Sequence, residues 1–244
     1  YCHGFLSALY SGVLAFFNII SHSIFMAIFP KLRRRLSNLG SRGVDSRMIR
    51  TARKLEQQSH ATGNYASAHL GGTLSDYNRS FGVDFRKVVQ KFVEKKGTCS
   101  VLDVSTGRGF FLNVLKREFG ASVSTTGTSV TRLPKELQNG IDAFFVGLTS
   151  NGRFLKTEKK YDLVVCRSGE TQAMSLQQLT DFLARKLGQE GKAFVDVGNL
   201  GPNELRFVRE LNRRSFRARI LKQHLGFEKH GKVTMLEITH SSRK

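Results

Sequence analysis

Residues 83–244 predict an α/β fold, a doubly wound and mainly parallel sheet with helices on both faces, preceded by an N-terminal hydrophobic helix. Three observations carry this expectation. Short apolar runs alternate with amphipathic helical stretches after residue 83, which requires crossover connections and therefore parallel strands. The first of these runs, "VLDVSTGRGFFL" (101–112), passes from an apolar strand through Gly107 and Gly109 directly into an apolar helix, the turn at which open sheets of this class receive ligands. Upstream, Gly4 to Phe29 carries no Asp, Glu, Lys or Arg, and about 20 apolar residues suffice for a helix to cross a bilayer core.

Taken in order, residues 1–30 read as a membrane anchor. Pro30 ends the apolar run and "KLRRR" follows at once, so the positive-inside tendency places the folded domain on the cytosolic side of a single-pass, membrane-associated chain. A second reading stays open, because Ser7, Ser11, Asn18 and His22 fall near one helical face and suit an interfacial or partner-packed helix. Residues 31–82 form a basic linker and N-terminal cap. Their first half can meet anionic lipid head groups, at about 1 kcal/mol per basic residue, or serve as a solvated linker. Their second half, 61–82, is rich in Gly, Ser and Asn and reads as loop or cap.

"VDFRKVVQKFVEKKG" (83–97) then places Phe85, Val88, Val89, Phe92 and Val93 on one helical face ending at Gly97. Strands are predicted at 100–104, 122–126, 143–146, 161–166, 192–197 and 232–239, and helices at 110–119, 176–187 and 203–213. The last strand needs no helix after it and is expected to return as an antiparallel edge.

Composition bounds the function. Lys and Arg number 39 against 19 Asp and Glu, a formal charge of +20 over 244 residues. Such an excess favours anionic partners or maintains solubility beside an anchoring segment. Only Cys2, Cys99 and Cys166 are present, with no metal-like or redox-like spacing, which argues against a disulfide framework and a structural zinc site. Reduced thiols are expected. The seven histidines form no HExxH-like pair, so a catalytic metal is not expected.

The glycine turn narrows the chemistry further. A dinucleotide fingerprint needs glycine or alanine at position 112, where Leu112 stands, and no G-K-[ST] follows to make a phosphate-binding loop. What remains is Asp103, Ser105, Gly107 and Gly109 in the spacing D-x-S-x-G-x-G. With "VSTTGTSVT", "IDAFFVGLTS", "KKYDLVVCRSGE", "LARKLGQEGKAFVDVGN" and "HLGFEKHGKVTMLEITH" following in order, the chain resembles the class I S-adenosylmethionine-dependent methyltransferases over about residues 83–240.

The resemblance implies a Rossmann-like methyltransferase fold, S-adenosyl-L-methionine as cofactor and an unidentified methyl acceptor. It assigns cofactor contacts to Asp103, Ser105, Thr106, Gly107 and Gly109 in the turn, to Ser129 after the second strand, to Leu148 and Thr149 after the third, and to Cys166 ending the fourth. Three positions depart from the family pattern. Ser105 stands for a frequent glycine, Ser129 for the acid that holds the ribose, and Leu148 for an Asp, leaving Thr149 as the available polar group. Each lost charged hydrogen bond costs about 1.5–3 kcal/mol.

By position after the fourth strand, Arg167, Ser168 and Glu170 would face substrate, with Arg167 and Glu170 as catalytic candidates and Glu170 as base. Glu170 also fits a carboxylate favoured by a helix N-terminus, and Asp103 one that binds the backbone N–H groups of its own turn. Two further readings stay open. One is a non-catalytic, membrane-tethered interaction module. The other is nucleic-acid binding through Arg206, Arg209, Arg213 and Arg217, whose spacing gives one face if the helix continues that far.

Overall fold

The computed structural model describes residues 72–129, 153–167, 174–197, 204–225 and 232–241, together with 132, 135, 138–147 and 149. All lie in a compact unit spanning His69–Lys244. The expected anchor (1–30) and the linker and cap through residue 71 lie outside the described residues. Among those described, no helix is long and apolar enough to cross a membrane.

The chain opens with α1 (Leu74–Phe81) and α2 (Phe85–Lys96), then alternates β1 (Cys99–Val104), α3 (Phe110–Phe119), β2 (Val123–Ser129), β3 (Ala143–Val146), α4 (Arg153–Lys156), β4 (Tyr161–Cys166), α5 (Leu176–Lys186), β5 (Leu187–Asp196) and α6 (Glu204–Arg213). It closes with the pair β6 (Phe216–Leu225) and β7 (Lys232–His240). The strands form one seven-stranded sheet in the order β3-β2-β1-β4-β5-β7-β6. β1 pairs in parallel with β2 and β4, β2 with β3, and β4 with β5, while β7 runs antiparallel to both β5 and β6.

Local chemistry explains the helix ends. Thr73 accepts from the Asp76 N–H while the Asp76 carboxylate accepts from the Thr73 N–H, a reciprocal cap that starts α1. Asp84 caps α2 through the Arg86 and Lys87 N–H groups, and Gly97 ends it at φ 75°, where a side chain would be strained. Ser175 and Gln178 form a second reciprocal cap on α5.

The strands read as nearly continuous apolar runs because helices cover both faces. On one face Leu102, Val164, Val195 and Ile238 pack with Phe182, Leu183 and Leu211 of α5 and α6. On the other Val101, Val165, Phe194 and Met235 pack with Tyr77, Phe81, Phe85 and Phe111 of α1, α2 and α3. Cys99 and Cys166 are buried cysteines outside any disulfide, and burial pushes the Cys99 thiol up to about 12, which keeps it protonated and inert.

Four expectations change. Residues 74–81, inside the stretch predicted as loop or cap, form α1, which buries Leu74, Tyr77 and Phe81. The final strand β7 is antiparallel as predicted but interior; the edge is β6, which begins at Phe216, upstream of the closing strand pair that the resemblance implies for residues 224–240. α6 ends at Arg213, so Arg217 does not extend its arginine row and stands instead on β6. β5 starts at Leu187, directly on the end of α5, rather than at 192.

That early start runs through an irregular register between Tyr161 and Leu163, and Gly191 makes it possible. A Cβ there would sit 2.8 Å from the Tyr161 carbonyl oxygen and 2.9 Å from Leu187 Cδ1. Gly191→Ala is therefore expected to cost about 1–3 kcal/mol through overpacking. A thermal melt unchanged from the parent would refute it.

Candidate functional site

The sheet order reverses between β1 and β4, because the chain proceeds outward through β2 and β3 on one side and through β4 and β5 on the other. Ligands in such sheets bind outside the carboxyl ends of the strands at that reversal. The residues standing there are the β1 turn, the ends of β2 and β3, and Arg167 after β4.

The turn is built by three residues in left-handed conformation: Ser105 at φ 59°, Gly107 at φ 55° and Gly109 at φ 72°. Ser105 holds at about 1 kcal/mol a conformation that glycine adopts without strain. The turn is tied to β2, since the Ser105 N–H donates to Thr128 Oγ1 at 3.2 Å and the Thr106 N–H to the Thr128 carbonyl at 2.8 Å. Gly127 lets it come this close, as a Cβ there would lie 3.0 Å from the Thr106 methyl. Gly109 then starts α3 with no side-chain cap, so the N–H groups of the first turn point outward at the cleft with the positive end of the helix dipole.

Asp103 is fully buried beneath this turn. Its carboxylate accepts from Thr106 Oγ1 at 2.6 Å and from the Tyr77 hydroxyl at 3.1 Å to each oxygen. These partners are side-chain hydroxyls, where the sequence reading offered turn N–H groups. Burial is the dominant influence and pushes the carboxyl up to about 7, against the opposing pull of the two hydroxyls and of the Arg167 charge. The Tyr77 hydroxyl is raised well above its usual range by the same burial. Tyr77 stacks on Phe111 with ring centroids 4.3 Å apart, so one tyrosine fastens α1 both to the acid and to α3.

Arg167 reaches back to α1. Its Nε donates to Ser80 Oγ at 2.8 Å and its guanidinium lies 5.5 Å from the Tyr77 ring centroid. Gly72 leaves it room, since a Cβ there would fall 2.1 Å from Nη1. Ser129 is buried at the end of β2. Thr149, after β3, is 1% exposed, and its Oγ1 has no hydrogen-bond partner among the described residues. Cys166 packs into the core cluster shared with α5 and α6. Leu148, Ser168 and Glu170 lie outside the described residues. Among the described residues no cluster of His, Cys, Asp or Glu forms a metal site.

Among the described residues, six strands run in one direction and β7 opposes them, in an open sheet in which β1 ends in this acid-and-glycine turn. This strand order is consistent with the Rossmann-like methyltransferase fold that the sequence resemblance implies. No family model and no curated protein matches the chain. Among solved structures, a TehB-like S-adenosylmethionine-dependent methyltransferase from Corynebacterium glutamicum is 16% identical, covering 68% of this chain and 100% of its own at TM-score 0.41. A methyltransferase from Bacteroides fragilis in complex with S-adenosyl-L-homocysteine is 13% identical, covering 63% and 77% at TM-score 0.44. The Burkholderia thailandensis 1,6-didemethyltoxoflavin-N1-methyltransferase is 18% identical, covering 69% and 87% at TM-score 0.44.

The turn, Ser129 and Thr149 come to neighbouring strand ends. Tyr77, Ser80, Thr128 and Gly72 were missed. A signal for Tyr77 was present, since T-x-x-D at Thr73–Asp76 is a helix start and Tyr77 and Phe81 then share a face.

Proposed function

We propose that this chain is an S-adenosylmethionine-dependent methyltransferase acting on an unidentified acceptor. The observation that carries the reading is the left-handed turn 105–109, which opens an uncapped helix at the point where the sheet order reverses. The residues present fit the cofactor in a further respect, because Thr149 Oγ1, buried and without a hydrogen-bond partner among the described residues, supplies a polar group for it. When bound, S-adenosylmethionine supplies an electrophilic methyl group on a sulfonium.

The turn N–H groups and the α3 N-terminus would hold the methionine end, Ser129 the ribose, and Thr149 the adenine edge. Val146, half exposed at the end of β3, offers an apolar surface to the purine. Asp103 acts through Thr106 and Tyr77, fixing the turn from below and α1 above it, so it is a positioning residue. The chain contributes mainly alignment and water exclusion, the terms that matter most for an in-line displacement. Arg167, anchored by Ser80, borders the acceptor side, and Glu170 remains our candidate for taking an acceptor proton. The apolar stretch Gly4–Phe29 and the following "KLRRR" support placing the domain at the cytosolic face of a membrane.

Titration calorimetry of the full chain with S-adenosylhomocysteine is expected to show one site per chain, lost in Gly107→Ala because a methyl group enters the cradle at a strained φ. Absence of both heat and thermal shift at millimolar ligand would sink the reading.

A further inference from the structure

A basic trough beside α2 has no part in the methyl-transfer reading. Lys87, Lys91 and Lys95 line one wall of a groove of about 270 Å³ whose remaining lining is Val88, Phe92, Glu190 and Lys192. The sheet register extends the groove outward. Lys192 shares a sheet face with Phe194, two residues on, and Phe194 packs against Phe81 and Phe85. Lys192 pairs with Thr239 and Thr239 with Arg217, while Phe194 pairs with Glu237 and Glu237 with Arg219. Cross-strand neighbours stand on one face, so Lys192, Arg217 and Arg219 make a basic floor next to the lysine wall. Arg217 is exposed, and the side chains of Arg219 and Lys192 are 71% and 44% exposed, which leaves this floor open.

Two carboxylates neutralise part of it. Glu190 takes Lys95 at 2.9 Å and Lys96 at 3.5 Å, and Glu237 takes Lys192 at 2.9 Å and also Arg219. Among the described residues Lys87, Lys91 and Arg217 have no carboxylate partner, so positive charge is in excess along both rows. The lysine wall repeats every four residues, about 6 Å along a helix axis, a spacing suited to successive phosphates of one extended strand. The concave cross-section suits a strand better than a flat lipid surface, which reaches the rim and not the floor. Phe92 is only 8% exposed, so the trough offers charge and no ring on which a base could stack.

We propose that this trough binds the phosphate backbone of single-stranded nucleic acid without sequence preference. The inference stands apart from the methyl-transfer reading and uses none of its residues. Its affinity is dominated by counterion release and is therefore steeply salt-dependent.

The test is fluorescence anisotropy of the full chain in neutral detergent with a labelled oligouridine of about 20 nucleotides, over a potassium chloride series. The variant K87E/K91E/R217E is expected to lose at least about tenfold in affinity and to flatten the salt slope by about 2, at roughly 0.7 per phosphate contact. K156E/R209E/R213E changes net charge equally at exposed positions elsewhere and is expected to stay within about twofold of the parent. K87Q/K91Q/R217Q repeats the loss with a smaller perturbation should the reversed variant melt early. Equal losses in both triple variants, no binding by the parent at low salt, or a trough variant that loses anionic phosphatidylserine vesicles but keeps RNA would each overturn the proposal.

Discussion

Phe85→Ala is expected to cost the folded domain about 3–5 kcal/mol, the range for emptying a buried phenylalanine site. Phe85 is fully buried, and its ring lies edge-on to four others, with centroids 6.4 Å from Tyr77, 5.7 Å from Phe81, 5.4 Å from Phe111 and 5.0 Å from Phe194. Those rings belong to α1, α3 and β5, so a single side chain at the first position of α2 joins three elements to the fourth. A loss of that size is a large share of the roughly 5–15 kcal/mol that holds a domain together. Urea denaturation reads it directly. A loss below about 1 kcal/mol would mean that the neighbouring rings close the cavity by themselves, and Phe85→Leu, which keeps most of the volume, is expected to retain most of the stability.

Asp103 is expected to make stability fall as pH rises from about 4 to about 7. Its carboxyl is pushed by burial from 3.8 up to about 7, so the folded state binds a proton that the unfolded chain has released over this interval. The contribution is complete below the unfolded value and is lost as pH climbs through the folded one, with a span of up to about 4 kcal/mol. Asp103→Asn keeps the size and removes the titration. Its stability is expected to stay nearly flat between about pH 5 and 7.5 relative to the parent. Asp142, Asp162 and Glu237 are held below their ordinary values by hydrogen bonds and nearby cations that outweigh their burial, so their contributions fade only in more acidic solution. A parent and an Asn variant with parallel pH profiles would remove Asp103 from this role.

Much of the site was legible because its signals are local. Gly107 and Gly109, spaced by one residue between an apolar strand and a helix, mark a tight turn, and Asp103, four positions before the first of them, sits on a strand whose apolar run announces burial. The hydroxyls at 129 and 149 were placed by strand order alone. What could not be read is where side chains from distant elements meet. Tyr77 reaches Asp103 across 26 residues of sequence, and Arg167 reaches Ser80 across 87. α1 was hidden by its composition: Gly, Ser and Asn around it argue for loop, and the helix persists because Tyr77 and Phe81 bury aromatic surface that local propensity does not count. β6 was hidden for the opposite reason. Arg217 continues the spacing of the preceding helix, and only pairing with β7 sets it in a two-residue alternation with Arg219.

The sequence by itself determined the alternating α/β order, the glycine turn and the exclusion of dinucleotide and phosphate-loop chemistry, since each depends on residue type at short range. Tertiary structure decided which strand lies at the edge, which hydroxyls hold the buried acid, and which cations of α2, β5 and β6 share a surface. Those choices rest on contacts between residues far apart in the chain. They form only when burial of both sheet faces fixes the register that brings them together.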